Sequence, residues 1–214
     1  MNSSRPKVVN AARLRTAPRQ VRIIAGIWKR TPLPVLDAAG LRPTPDRVRE
    51  TVFSWLTHLL GEQWHTVTCL DLFAGSGALG FEAASRGAAR AVLLEQQPAV
   101  AQQLDDIRLK LNAQQVAILR GDAFTVAQRF AASAERFNLI FLDPPYACGW
   151  LPRMLPLCAR LLSPDGMVYA EAELALDGDS APDWMRNWEV IRSGKAGLVF
   201  FHLLRCRNSS EIEA

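Results

Sequence analysis

A chain of 214 residues, 49% of them hydrophobic, is long enough to bury a substantial core and to fold as one principal domain. It has no run of about eighteen apolar residues and no apolar leader near its N-terminus, which argues against a membrane span or secretory signal and for a cytoplasmic protein. Its net charge of +4 is unevenly spread: residues 1–50 carry eleven Lys and Arg against three acids, a net of +8 that leaves the remainder at −4. The basic end is the footprint expected of a segment that meets phosphates.

Residues 1–19 hold five cations and few large apolar side chains, and read as a flexible basic tail that orders on a partner. Residues 20–43 read as a small N-terminal β-hairpin extension, two short strands turning near Gly26 before Pro32, Pro34 and Pro43 punctuate a loop. Thr44 followed by Pro45 is a helix start, a hydroxyl N-cap with proline at the first helical position. The helix is expected to run to about Leu60, because Val48, Val52, Phe53, Leu56, Leu59 and Leu60 form an apolar stripe at helical spacing.

From residue 67 short apolar runs alternate with helical patterns. Val67–Leu72, Ala91–Leu94, Val116–Leu119, Leu139–Leu142 and Met167–Ala170 read as strands; 78–86, 98–113, 123–132 and 150–162 read as helices. That alternation predicts an α/β, doubly wound, mostly parallel sheet, with two final strands near 188–191 and 198–204 pairing antiparallel at one edge. The main domain is expected over 44–207, with 208–214 a C-terminal tail. The four cysteines are widely spaced with no C-x-x-C pair, and His58, His65 and His202 lie far in sequence from the motifs described below, so no metal site is expected.

The first of these strands ends in Asp71-Leu72-Phe73-Ala74-Gly75-Ser76-Gly77-Ala78-Leu79-Gly80, a G-x-G-x-x-G spacing between strand and helix. Glycines there permit a tight turn and a close approach of backbone to ligand. Twenty residues past Gly75, Glu95 ends the second strand where a ribose would offer hydroxyls, with Gln96 beside it. Either a dinucleotide or S-adenosylmethionine fits these features. Asp71 favours the second, since a carboxylate is unwelcome near a pyrophosphate but suits a cationic aminoacyl group. Asp122, followed by Ala123, either accepts from an adenine amino group or caps the next helix.

The fourth strand delivers Asp143-Pro144-Pro145-Tyr146 to the carboxyl edge, the ligand-binding side of doubly wound folds. Two prolines remove two donors, so the loop offers acceptors: the Asp143 carboxylate and the Pro144 carbonyl. An exocyclic base amine held by both has its lone pair freed from the ring, Tyr146 offers a face for stacking, and Asp143 takes the released proton.

With these motifs the chain resembles the class I methyltransferases, and within them the RsmD family of small-subunit ribosomal RNA guanine-N2 methyltransferases. The resemblance spans roughly Arg22 to Arg205. It rests on Arg22-Ile23-Ile24-Ala25-Gly26 with Trp28, on Gly40-Leu41-Arg42-Pro43-Thr44 with Asp46-Arg47-Val48-Arg49-Glu50-Thr51, on the glycine loop and on Asp143-Pro144-Pro145-Tyr146. It implies a seven-stranded Rossmann-like sheet whose last hairpin is antiparallel, and S-adenosylmethionine as methyl donor with S-adenosylhomocysteine as product. It further implies one guanine of 16S ribosomal RNA as acceptor, within an assembled 30S particle, and a monomeric enzyme. By the same resemblance Arg22, Arg42, Thr44, Arg47 and Arg49 are candidates for RNA contact. A DNA adenine methyltransferase shares D-P-P-Y but is disfavoured for want of a target-recognition domain; a dinucleotide oxidoreductase and a noncatalytic RNA-binding protein are the rivals from other classes.

Overall fold

The computed structural model describes residues 20–36, 44–146, 148–178 and 181–207. Nine strands and five α-helices follow in the order β1 (Gln20–Arg22), β2 (Pro32–Pro34), α1 (Asp46–Leu59), β3 (Thr68–Asp71), α2 (Ala78–Ser85), β4 (Arg90–Glu95), α3 (Pro98–Lys110), β5 (Val116–Arg120), α4 (Ala123–Ala131), β6 (Phe137–Leu142), α5 (Trp150–Leu161), β7 (Leu162–Ala172), β8 (Trp188–Ala196) and β9 (Val199–Cys206). No described helix is long and apolar enough to cross a membrane.

Seven strands form one sheet in the order β5-β4-β3-β6-β7-β9-β8. The pairs from β5 to β7 are parallel, while β9 pairs antiparallel with both β7 and β8, as the alternation predicts. The chain winds outward from β3 to β5, then returns to lay β6 on the other side of β3. The carboxyl ends of β3 and β6 therefore flank the point where the winding reverses, the crevice in which such sheets take ligands.

Successive side chains on a strand face opposite sides, and here both sides are covered. Cys69, Ala91, Leu93, Leu139, Phe141, Met167 and Tyr169 join one core with α1, α2 and α3. Leu70, Val92, Leu94, Ile140, Leu142, Val168 and Ala170 join a second with α4 and α5. This double burial explains why the central strands read as continuous apolar runs rather than as alternation.

Helix α2 is buried at every residue from Ala78 to Ser85. One face lies on the sheet; the other is covered by the N-terminal extension. The fully buried Glu82 carboxylate accepts from Ile24 N at 2.6 Å, Ala25 N at 3.0 Å and Arg86 Nε at 2.7 Å. Ser85 adds a second row: its hydroxyl accepts from Trp28 N at 2.9 Å and donates to the Ala25 carbonyl at 2.6 Å, and its own carbonyl accepts from Ile27 N at 2.8 Å. The approach is so close at Gly26 (φ +82°) that a Cβ would stand 1.9 Å from the Ser85 oxygen.

Two local readings are corrected. The second strand of the extension is not beside Gly26 but at Pro32–Pro34, where Val21 faces Leu33. Proline is tolerated there because Ile23 N bonds Thr31 O, so the bonded register falls on Thr31 and Leu33 and skips the two prolines. Thr44 is not the cap of α1: Pro45, which has no polar side chain, holds the N-cap position, and the Thr44 side chain is turned to Glu171 instead.

Replacing Glu82 by Ala strands two partly buried N–H groups and the Arg86 guanidinium, so denaturant unfolding should show a loss of about 3 kcal/mol. A loss under about 1 kcal/mol would mean that the extension does not depend on this carboxylate.

Candidate active site

The tight turn after β3 holds Gly77 at φ +77°, where a Cβ would meet Phe81 and Leu104 at 2.6–2.7 Å. A larger residue would push the loop off the start of α2. Glu95, at the end of β4, accepts from Gly75 N at 3.1 Å and Gln97 N at 2.8 Å, tying the glycine loop to the neighbouring strand. Asp122 accepts from both Thr125 N and its hydroxyl at 2.9 Å, so the capping role is present alongside any ligand role.

A cavity of about 430 Å³ opens over these strand ends. Phe73, Gly75, Glu95, Gln96, Asp122, Ala123, Asp143, Pro144, Pro145 and Tyr146 of the expected residues line it; Asp71, Ala74, Ser76, Gly77 and Leu79 do not. Trp150, which the sequence reading did not single out, joins the wall and meets Phe73 edge-on with ring centroids 5.2 Å apart. A smaller cavity of about 140 Å³ lies beyond the Asp143-Pro144-Pro145-Tyr146 loop, walled by Tyr146, Trp150, Glu171 and Trp184.

Asp71 lies beneath the glycine loop. Its Oδ2 accepts from Gly80 N at 3.1 Å, while its buried Oδ1 has no partner. Burial pushes its carboxyl up to about 7, with the Gly80 and Phe73 amides drawing it down and Glu95 adding to the rise.

Glu171 was not anticipated either. Tyr169 and Glu171, two residues apart on β7, point to the same side, where Tyr169 Oη donates to Glu171 Oε1 at 2.7 Å. The Thr44 hydroxyl donates to the same Oε1 at 2.7 Å and stands 3.2 Å from Asp143 Oδ2. Tyr146 Oη lies 3.5 Å from Glu171 Oε2. Burial holds Asp143 well above the usual carboxylate range, with Glu171 and then Asp71 adding to the rise, and burial likewise raises Glu171. The one hint in the sequence was an acid at the carboxyl end of a buried strand, Glu171 in Tyr-Ala-Glu-Ala.

The expected RNA-contact residues do not share one surface. Arg22 is 63% exposed and pairs with Asp46 at 2.9 Å; Arg47 is exposed; Arg42 lies outside the described residues. Two expectations are corrected. Thr44 is buried against the two carboxylates. Arg49 is wholly buried with its Nη2 on Asp46 at 2.7 Å and its other two guanidinium nitrogens unpartnered, because α1 turns this position into the core side of the helix.

The family model described as conserved hypothetical protein 95 matches residues 21–205. Ribosomal RNA small subunit methyltransferase D of Escherichia coli strain K12 is 38% identical over 91% of this chain and 94% of its own length, and that of Haemophilus influenzae is 36% identical over 87% and 94%. The chain belongs to this family. The solved structure of an Escherichia coli protein provisionally assigned as a methyltransferase superposes with a TM-score of 0.72 at 36% identity, covering 88% of this chain and 98% of that one. The fold is thus shared with a relative of this family and is that of the class I methyltransferases.

Asp71 should reveal its burial through pH. Its folded value is raised above the unfolded one, so between about pH 4 and about pH 7 the native state binds the extra proton and stability is lost as pH rises. Asp71→Asn removes that loss. The stability of the variant relative to the parent should therefore grow as pH climbs through this window in denaturant titrations, and a pH-independent difference would contradict the assignment.

Proposed function

We propose that this chain transfers a methyl group from S-adenosylmethionine to N2 of a guanine in small-subunit ribosomal RNA. The observation that carries the reading is the loop at the carboxyl edge of β6, where Asp143 lines the larger cavity, Pro144 lines both, and Tyr146, 40% exposed, presents its ring. The relatives' names support ribosomal RNA as the acceptor.

The residues present suit the cofactor. Glu95 lies at the strand end where ribose hydroxyls can donate to it, and Asp122 and Ala123 lie across the cavity where an adenine edge can be met. The unpartnered Asp71 Oδ1, with Asp143 and Glu171 nearby, forms a cluster of buried acids without a cation among them, and a ligand bearing positive charge would favour their ionised forms. The same charge speaks against a pyrophosphate, and so against a dinucleotide oxidoreductase. When bound, S-adenosylmethionine supplies an electrophilic methyl carbon.

The protein's part is to place and prepare the amine. Asp143 and the Pro144 carbonyl each hold one N–H of the exocyclic amino group, which draws the lone pair out of conjugation and aims it along the line of attack. Tyr146 stacks on the base, an interaction worth about 1–3 kcal/mol. Asp143 then accepts the proton that the methylated nitrogen sheds. The basic N-terminal fifty residues hold phosphates, and an assembled 30S particle is the substrate of a monomeric cytoplasmic enzyme.

Incubation with 30S particles from a strain lacking the family enzyme, followed by nucleoside mass spectrometry, should yield N2-methylguanosine. A methyl group on adenine, or none, would overturn the proposal. Asp143→Ala should abolish transfer while calorimetric affinity for S-adenosylmethionine stays nearly intact, whereas Glu95→Ala should weaken that affinity first. Deleting residues 1–19 removes five cations, and the salt slope of RNA binding should fall by about 0.7–0.9 for each phosphate that they neutralise. An unchanged slope would exclude that segment from the interface.

A further inference from the structure

The count of hydrogens around Glu171 points to a proton path. Thr44 has one hydroxyl hydrogen and two carboxylate neighbours, Glu171 Oε1 at 2.7 Å and Asp143 Oδ2 at 3.2 Å. Tyr169 gives its own hydrogen to the same Glu171 oxygen at 2.7 Å. With the shorter Thr44 bond taken as its donation, the longer one is a hydrogen bond only when Asp143 carries a proton and donates to the Thr44 oxygen. The resting pair then holds a single proton on Asp143, and Glu171 is the ionised member, stabilised by two hydroxyl donors.

We propose that Asp143, Thr44 and Glu171 form a relay in which Glu171 is the outer proton acceptor of methyl transfer. The inference rests on the acceptor being an amine held by Asp143. As the amine binds, Asp143 gives its proton to the Thr44 oxygen while Thr44 gives its own to Glu171 Oε1, leaving Asp143 ionised beneath the N–H it must hold. Once N2 has gained its methyl group, its N–H bond breaks, the electron pair stays on nitrogen and the proton passes to Asp143. The pair now holds two protons. One leaves from Glu171, whose side chain walls the smaller cavity and whose Oε2 lies 3.5 Å from the Tyr146 hydroxyl, so one proton reaches solvent for each methyl transferred. The titratable groups around the pair are Tyr146 on the same loop as Asp143, Tyr169 and Glu173 on either side of Glu171 in sequence, and Asp71 at the end of β3. Among the described residues each of these is an acid or a phenol.

Thr44→Val removes the bridging hydroxyl at nearly constant volume, Thr44→Ser keeps it, and Glu171→Gln removes the acceptor. Single-turnover methylation across pH should show Thr44→Val and Glu171→Gln slowed by about 10–100-fold, with the affinities for RNA and S-adenosylmethionine within twofold of the parent and Thr44→Ser near the parent rate. Carbon-13 carboxyl resonances of the ligand-free protein supply a readout independent of any substrate. Asp143 and Glu171 should titrate as one coupled pair in the parent and in Thr44→Ser, and Glu171 should titrate at higher pH in Thr44→Val, which takes away one of its hydroxyl donors. Parent-like rates in Thr44→Val, equal damage from Ser and Val, or independent titration in the parent would each overturn the relay. If the parent protein modifies no guanine while its carboxyl groups titrate together, the proposed acceptor has failed and the proton pair has not.

Discussion

The fully buried Glu82 carboxylate is the constraint on which the arrangement turns. It sits on a helix otherwise made of small and apolar residues, in surroundings where an ionised group without partners would cost several kcal/mol. Two backbone amides from the N-terminal extension and the Arg86 guanidinium satisfy it. Arg86 in turn lies over the Phe53 ring, 4.9 Å from its centroid, so the same carboxylate indirectly braces α1. With the extension seated on α2 and α1 laid over the same face of the sheet, Thr44 arrives at the carboxyl ends of β6 and β7, where it meets Asp143 and Glu171.

Concentrating carboxylates at that edge opposes folding, and the structure shows how the opposition is moderated. Asp71 is held by the Gly80 amide in the first turn of α2, where the helix dipole favours negative charge. Glu171 is held by two hydroxyls. Asp143 and Glu171 lower their joint cost by keeping one proton between them, as close carboxyl pairs do. What remains is a region short of positive charge beside an open cavity. A cationic ligand relieves it, and an amine that must lose a proton finds an acceptor there. The features that burden the free protein are therefore the ones that suit it to bind such a ligand and such a substrate.

The sheet was legible because its physics is local and repetitive. Strands buried on both faces appear as short apolar runs, helices between them keep their spacing, and the order of the two dictates parallel pairing with crossovers. The glycine loop and Asp143-Pro144-Pro145-Tyr146 were legible because backbone conformation and donor count depend on residue type at each position. The extension was less so. Pro32 and Pro34 look like loop residues until the register of β1 and β2 shows that their missing N–H groups fall at unbonded positions. Thr44-Pro45 has the composition of a helix cap, but a cap must aim its side-chain oxygen at the helix amides, and here carboxylates held by distant strands draw the Thr44 side chain away to donate to them instead.

Residue type and spacing by themselves determined the fold class, the position of the ligand crevice and the acceptor loop, since each follows from conformational limits and periodicities spanning a few residues. The tertiary structure alone decided which polar groups share a proton and which cations face solvent. Thr44, Asp143 and Glu171 are separated by 99 and 28 positions along the chain, and Arg49 looks like any helix-surface cation until α1 is packed. Hydrogen bonding and desolvation act over a few ångströms of space, and only the packed chain sets which side chains meet at that distance.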